Sequence, residues 1–389
     1  MKRISQSPAD PAFMADPYPF YERARALGEI VFWEEYGMPV ATTMAAAQAV
    51  LKDRRMGREA PVAPQVPGHL TDFYAIEAHS MLELEPPRHT RLRGLVLRAF
   101  TSREIKGREG EIREVAARLA SVFPEGPFDL VSAFAQPLPV LVIARLLGVP
   151  EARADDLLRW SNAMVGMYQA GRSRADEDAA NAAARDFAGW LGEVIAERRK
   201  SPGESLIDRL IAAEEEGERL TGDELVTTII LLLNAGHEAT VHSIGNGVRA
   251  ILEHGAAEAA RTAPAQLAEE VLRYDPPLHL FTRHVYEDVD VAGITLEKGS
   301  QVAALLASAN RDPAVFDRSE RFDPRRVVGQ TAAFGSGIHF CVGAPLARLE
   351  LGIAFETLCA RWPDLRLAAE PEIAPIYHFR GLKRLMVER

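Results

Sequence analysis

Residues 334–348 read Phe-Gly-Ser-Gly-Ile-His-Phe-Cys-Val-Gly-Ala-Pro-Leu-Ala-Arg, and no other stretch of the chain restricts the fold as much. Gly335 and Gly337 admit backbone angles closed to other residues, so the chain can fold tightly beside something flat. Pro345 suits the first turn of a helix, where its missing N–H costs little. Leu346, Leu349 and Ile353 then continue as an apolar stripe at helical spacing. Cys341 therefore stands at or just before a helix N-terminus, under N–H groups that the helix itself leaves without partners and at the positive end of the dipole. Both factors favour thiolate over thiol. With Phe334 available to shield it, such a sulfur is a good soft ligand for one metal.

The only other cysteine, Cys359, lies 18 residues further on. That is roughly 27 Å up a continuous helix at about 1.5 Å per residue, which excludes co-ligation and a disulfide. It reads as a small buried apolar residue. His339-x-Cys341 is too sparse for a structural zinc site, which wants four N/S ligands. A single thiolate with no other nearby protein ligand fits a macrocycle that already fills the equatorial positions of an iron. Two cysteines in 389 residues also suit a reducing compartment. The formal charge of −10 argues against nucleic acid or anionic lipid as a partner, since both need clustered Lys/Arg. The start, MKRISQSPADPAF, lacks the apolar stretch of a signal peptide. The longest dense apolar run, 229–233, is far short of the roughly 18 residues a membrane span needs. A cytoplasmic protein without a membrane anchor is expected.

Nothing marks a clean domain cut, and the chain is read as a single domain over 1–389 with a small β-containing N-terminal part at about 28–60. Helix is expected at 18–27, and strands at 30–33 and 38–42. Residues 60–87 hold Pro61, Pro64, Pro67, Pro86 and Pro87 and are expected to be a long mobile loop, of the kind that serves as an access lid. Helices then dominate, at 88–100, 102–122, 139–147, 152–170, 176–199, 206–216, 222–254, 265–274 and 345–361. Strands return at 283–291, 301–306, 365–367 and 384–387, and the charged, Pro-bearing stretch 311–333 reads as irregular. The fold class is mainly α with small β-sheets.

With these motifs in view, the chain resembles the cytochrome P-450 family, the haem-thiolate monooxygenases of soluble bacterial type. Their signature Phe-Gly-x-Gly-x-His/Arg-x-Cys-x-Gly-x-x-Leu-Ala-Arg is matched at every fixed position. The resemblance extends from the helix at Tyr18 to the strand near Val387. It implies a triangular helical prism enclosing haem b, with Cys341 as the metal ligand and Phe334, Gly335 and Gly343 shaping its loop. Glu270-x-x-Arg273 falls where the family keeps a buried ion pair, and Arg321 resembles the arginine that completes it. His89, Arg93, Arg283 and His339 match the family's contacts to the haem propionates.

Ala235-Gly236-His237-Glu238-Ala239-Thr240, on the long helix, matches the motif Ala/Gly-Gly-x-Asp/Glu-Thr-Thr that the family places over the iron, where the helix opens locally. Glu238 matches the acid expected to relay protons. Ala239 departs from the pattern, because the family has threonine there, and Thr240 points roughly 100° away on a regular helix. Proton delivery is therefore expected to be less tightly coupled. Family-aligned pocket positions are Leu231, Ala235, Leu278, His279 and Phe281, an apolar set with one polar contact at His279. Met81, Leu82 and 163–168 are expected to close the lid. The implied reaction inserts one oxygen atom of O2 into a hydrophobic small molecule. Electrons would come from a separate ferredoxin or flavodoxin with its reductase, docking on Arg88, Arg91, Arg98, Lys106 and Arg348. A peroxide-driven peroxygenase or a non-catalytic haem sensor would use the same ligand.

Overall fold

The computed structural model describes residues 1–63, 65–169, 171–215 and 220–389. Local chemistry explains many helix starts. Thr43 opens the helix Met44–Lys52 by accepting from the Ala46 N–H. Ser173 and Asp176 form a capping box at the head of Arg174–Lys200. Pro264 sits in the first turn of Pro264–Tyr274, and Pro345 in that of Ala344–Arg361. Gly148, at φ 78°, ends Pro137–Leu147.

Two compact units emerge. One comprises Met1–Pro61, Ala116–Ala135 and Ala239–Arg389; the other comprises Val62–Val115 and Gln136–Glu238. Every described strand belongs to the first. Its main sheet has the order Arg3–Ile4, Ile30–Trp33, Met38–Ala41, Gln301–Leu305, Leu280–Val285, Met56–Gly57. The N-terminal strands are thus not a separate sheet. Val40 pairs in parallel with Ala303, which on its other side faces Thr282 in the antiparallel ladder. Strand periodicity divides the residues between two cores. Val302, Ala304 and Val285 pack with Met44, Val50 and Met56, while Ala303, Leu305 and Leu280 pack with Phe20, Tyr21 and Trp33.

The second unit is built from helices. Its Thr71–Glu77 lies inside the stretch expected to be a mobile loop, and that expectation is corrected here. The Asn181 side-chain oxygen accepts from the N–H groups of Asp72 and Phe73 at 2.9 and 3.0 Å, and its amide nitrogen donates to Asp72 at 2.9 Å. His69 pairs with Glu177 at 2.7 Å. The cap of this helix thus comes from 109 residues away, beyond the reach of any local sequence signal.

Other boundaries shift for local reasons. The helix expected at 102–122 divides at Arg108 into Ser102–Gly107 and Glu109–Ser121. The strand expected at 283–291 is two, Leu280–Val285 and Val289–Val291. Ala154–Val165 is flanked by single 3-10 turns; the ends expected at Ala170 and Glu216, like Pro64, lie outside the described residues.

Candidate active site

The cysteine segment closes on itself. The Cys341 N–H donates to the Phe334 carbonyl at 3.0 Å and the Gly335 N–H to Ala332 at 2.9 Å. Gly335 and Gly337 take φ of 68° and 73°. A side chain at Gly337 would bring its Cβ within 2.4 Å of the Leu51 carbonyl, so this glycine is what lets the loop lie against the helix Met44–Lys52. The Arg348 guanidinium sits 4.6 Å from the Phe334 ring centre while pairing with Glu269. Cys341 is exposed two residues before Gly343, the N-cap of Ala344–Arg361. Cys359, on that same helix, is buried, and burial pushes its thiol up to about 11. One sulfur is thus exposed and the other buried.

The stretch 319–323 is pinned by a buried ion network. Glu270 and Arg273 have no exposed side-chain surface and form two bonds of 2.7 Å. Arg273 also donates to the Ser319 carbonyl at 2.6 Å and to the Arg321 carbonyl at 2.8 Å, and Glu270 accepts from the Asp323 N–H at 2.8 Å. The third charge, however, is Arg326, 3.2 Å from Glu270. Arg321 gives the network only its backbone oxygen, and its guanidinium is exposed beside Glu320. The expectation for Arg321 is corrected accordingly: in an irregular segment no periodicity dictates which arginine turns inward.

The helix Gly222–Glu253 runs unbroken through 235–240, so the implied local opening is not a break in the helix. Instead the Ser243 hydroxyl donates to the Ala239 carbonyl at 2.8 Å, a back-bond that sequence reading missed. Positions 227–230 and 240–248 are buried, whereas Leu231, Gly236, Glu238 and Ala239 are half-buried and Ala235 is exposed. Thr240 is buried, consistent with its pointing away from that face. His237 is buried with its ring 3.7 Å from the Glu238 carboxylate.

His89 is buried and Arg93 half-buried on the helix Arg88–Ala99, one turn apart. Arg283 is buried and donates to the Thr282 carbonyl; His339 is half-buried in the cysteine loop. Leu278 and Phe281 are partly buried against the sheet core. His279 departs from the expectation of a polar pocket contact. It is fully buried, with Nδ1 2.7 Å from the Tyr21 hydroxyl, which in turn lies 2.8 Å from that of Tyr377. Burial, reinforced by nearby Arg380, lowers its pKa to about 3, so the ring is neutral. Alongside, Asp275 accepts from Tyr18 at 2.6 Å and Arg380 at 2.7 Å; burial alone would raise its carboxyl, but Arg380 and Tyr18 hold it below the ordinary range. Of the expected docking cations, Arg91 pairs with Glu224 and Arg348 with Glu269.

Residues 265–363 match the family described as Cytochrome P450. The chain is 39% identical over 390 residues to cytochrome P450 monooxygenase PikC of Streptomyces venezuelae, covering 96% of this chain and 91% of that one. It therefore belongs to the cytochrome P450 family and is a monooxygenase, with haem b as its cofactor and O2 and small molecules as its substrates. Among further relatives, the vitamin D(3) 25-hydroxylase of Pseudonocardia autotrophica is 37% identical over 92% of this chain and 89% of its own. The crystal structure of P450BioI with acyl carrier protein ligated to hexadec-9Z-enoic acid superposes with a TM-score of 0.91 at 34% identity, covering 97% of this chain and 99% of that one.

The residues fit the cofactor. Among the described residues no group of three or more His, Cys, Asp or Glu could hold an ion by itself. One exposed sulfur on a glycine-shaped loop is instead a donor set for an iron that arrives with its equatorial nitrogens. No described helix is long and apolar enough to cross a membrane.

Proposed function

We propose that the chain acts as one haem-thiolate monooxygenase domain over 1–389, in the cytoplasm, on a hydrophobic small molecule, with electrons from a separate ferredoxin or flavodoxin and its reductase. The observation that carries the reading is the single exposed thiol of Cys341 on a loop closed by Gly335 and Gly337. When bound, haem b supplies oxygen activation, and electron density from the thiolate favours O–O cleavage.

The rest falls to the protein. Cys341 holds the iron, with Phe334, Gly335 and Gly343 setting the loop. His89, Arg93, Arg283 and His339 supply donors to the two propionates, and Glu238 holds a proton near the half-buried Ala239. Leu231, Ala235, Leu278 and Phe281 bind the substrate by apolar contact. One relative is named for hydroxylating vitamin D(3), and one solved neighbour carries a hexadecenoyl chain; both support an apolar substrate.

The test is a ferrous carbon monoxide spectrum of the haem-loaded protein, then a screen for compounds that shift the iron from low to high spin. Thiolate ligation that vanishes in Cys341→Ser, with turnover sustained by a ferredoxin system, is expected. Turnover by peroxide alone at the same rate would favour the peroxygenase instead, and no oxygen-consuming turnover across a broad panel would favour a sensor.

A further inference from the structure

We propose that Asn234 is a specificity-determining residue, and that the substrate carries a hydroxyl group on its apolar skeleton, placed to bond the Asn234 carboxamide. The inference rests on the reading above, in which Leu231 and Ala235 face the substrate. Asn234 lies between them in sequence and on the adjoining side of the same helix: at about 100° per residue it stands roughly 60° from Leu231 and 100° from Ala235.

Its polar groups are poorly matched to their surroundings. Among the described residues the amide nitrogen has for a partner only the Met164 sulfur, at 3.7 Å. A thioether is a weak acceptor, and it fixes the amide orientation, since the carbonyl end would gain nothing from sulfur. The side-chain oxygen is buried and has no hydrogen-bond partner among the described residues. Near it the helix supplies Ile230 and Leu233, both buried and apolar. An amide left this way destabilises the folded state, and replacing it with a hydrocarbon of similar shape removes the penalty. Leucine, valine or isoleucine would serve helix packing better at 234. A bound hydroxyl resolves the mismatch: it can donate to the side-chain oxygen or accept from the amide nitrogen, so a modest rotation of the carboxamide satisfies either geometry. Apolar compounds without that group leave the amide unsatisfied and bind less tightly.

The test uses the haem-loaded full chain and two pairs matched in shape, 1-dodecanol with tridecane and cyclododecanol with methylcyclododecane, titrated by the spin-state shift. Wild type is expected to bind the alcohol at least about tenfold more tightly than the hydrocarbon in one pair or both. In Asn234→Leu the ratio should fall to about one with hydrocarbon affinity retained, while Asn234→Gln should keep part of the preference. Without ligand, Asn234→Leu should melt no lower than wild type, whereas loss of a purely structural amide would lower it. No alcohol preference in either pair, or a preference that survives in Asn234→Leu, overturns the inference. A wild-type carbon monoxide spectrum without thiolate character would instead overturn the haem-thiolate reading, and the role of Asn234 with it.

Discussion

The cysteine loop together with the ion network and the stretch 231–239 of the long helix solve opposite problems. In the first, the fully buried Arg273 and Glu270, with the partly buried Arg326, gather the main chain of 319–323 through charge-assisted bonds to Ser319, Arg321 and Asp323. In the second, an exposed alanine beside a half-buried glycine, a back-bonded carbonyl and an under-satisfied carboxamide lie between the buried stretches 227–230 and 240–248. Holding an iron ligand in one place calls for redundant, buried constraints. A surface proposed to receive a small organic molecule calls instead for fewer fixed constraints.

The largest expected effect tests the redundancy. Glu270→Ala leaves the buried Arg273 guanidinium without its countercharge, removes the ion-pair partner of the partly buried Arg326 and frees the Asp323 N–H, and should cost about 3–5 kcal/mol in urea denaturation, with loss of haem on purification. Arg326→Ala should be clearly destabilising, whereas Arg321→Ala should stay within about 0.5 kcal/mol of wild type. Equal effects of the two arginine substitutions would refute the assignment of Arg326.

Next comes the loop itself. Gly337→Ala places a Cβ against the Leu51 carbonyl at a φ of 73°, and the backbone penalty alone is about 1–2 kcal/mol. Gly343→Ala meets only the Cys341 sulfur, at 3.8 Å, so the melting temperature of its haem-free form should stay close to wild type. Calorimetry on both haem-free variants separates a glycine required by the fold from one whose role is toward the cofactor.

Much of this was legible beforehand because it is written locally. The glycines flanking Cys341, the proline in the first turn after it, and the Glu-x-x-Arg spacing each state their geometry within a few residues. Arg326, Asn181 and Tyr21 were not legible, because each acts on a partner tens to hundreds of residues away. His279 is the instructive failure. The resemblance to the family suggested a contact to substrate, but the hydroxyl that claims it is that of Tyr21, which is itself bonded to Tyr377 near the other end of the chain.

That buried histidine extends the over-determined region and gives it a pH signature. Its folded pKa of about 3 lies below the unfolded value near 6.5, so between these limits the unfolded chain binds a proton that the folded one refuses. Stability should be unaffected by this group above pH 6.5 and should fall with pH through the window, by about 1.4 kcal/mol per unit where the effect is fully developed. Asp275 is lost in the same direction, so the measurement is a difference: urea unfolding of wild type and His279→Gln from pH 7 to the lowest pH that leaves both folded. Parallel curves would remove His279 from the account.

The smallest effect probes the permissive stretch. Ala239 stands where the family has threonine, its side chain half-buried and its carbonyl already engaged by Ser243. Ala239→Thr adds a hydroxyl next to Glu238 at a half-buried position, so it should fold as wild type does. If Glu238 relays protons as proposed, a hydroxyl at the neighbouring position should improve the match between proton delivery and oxygen insertion. The expected outcome is a fall of about two- to threefold in hydrogen peroxide released per product formed, less than 1 kcal/mol in relative barriers. A strongly destabilised variant would mean that this stretch is as tightly specified as the cysteine loop, and the contrast between the two regions would fail. A stable variant with an unchanged peroxide-to-product ratio would preserve the contrast and show that proton delivery here does not depend on a hydroxyl at 239.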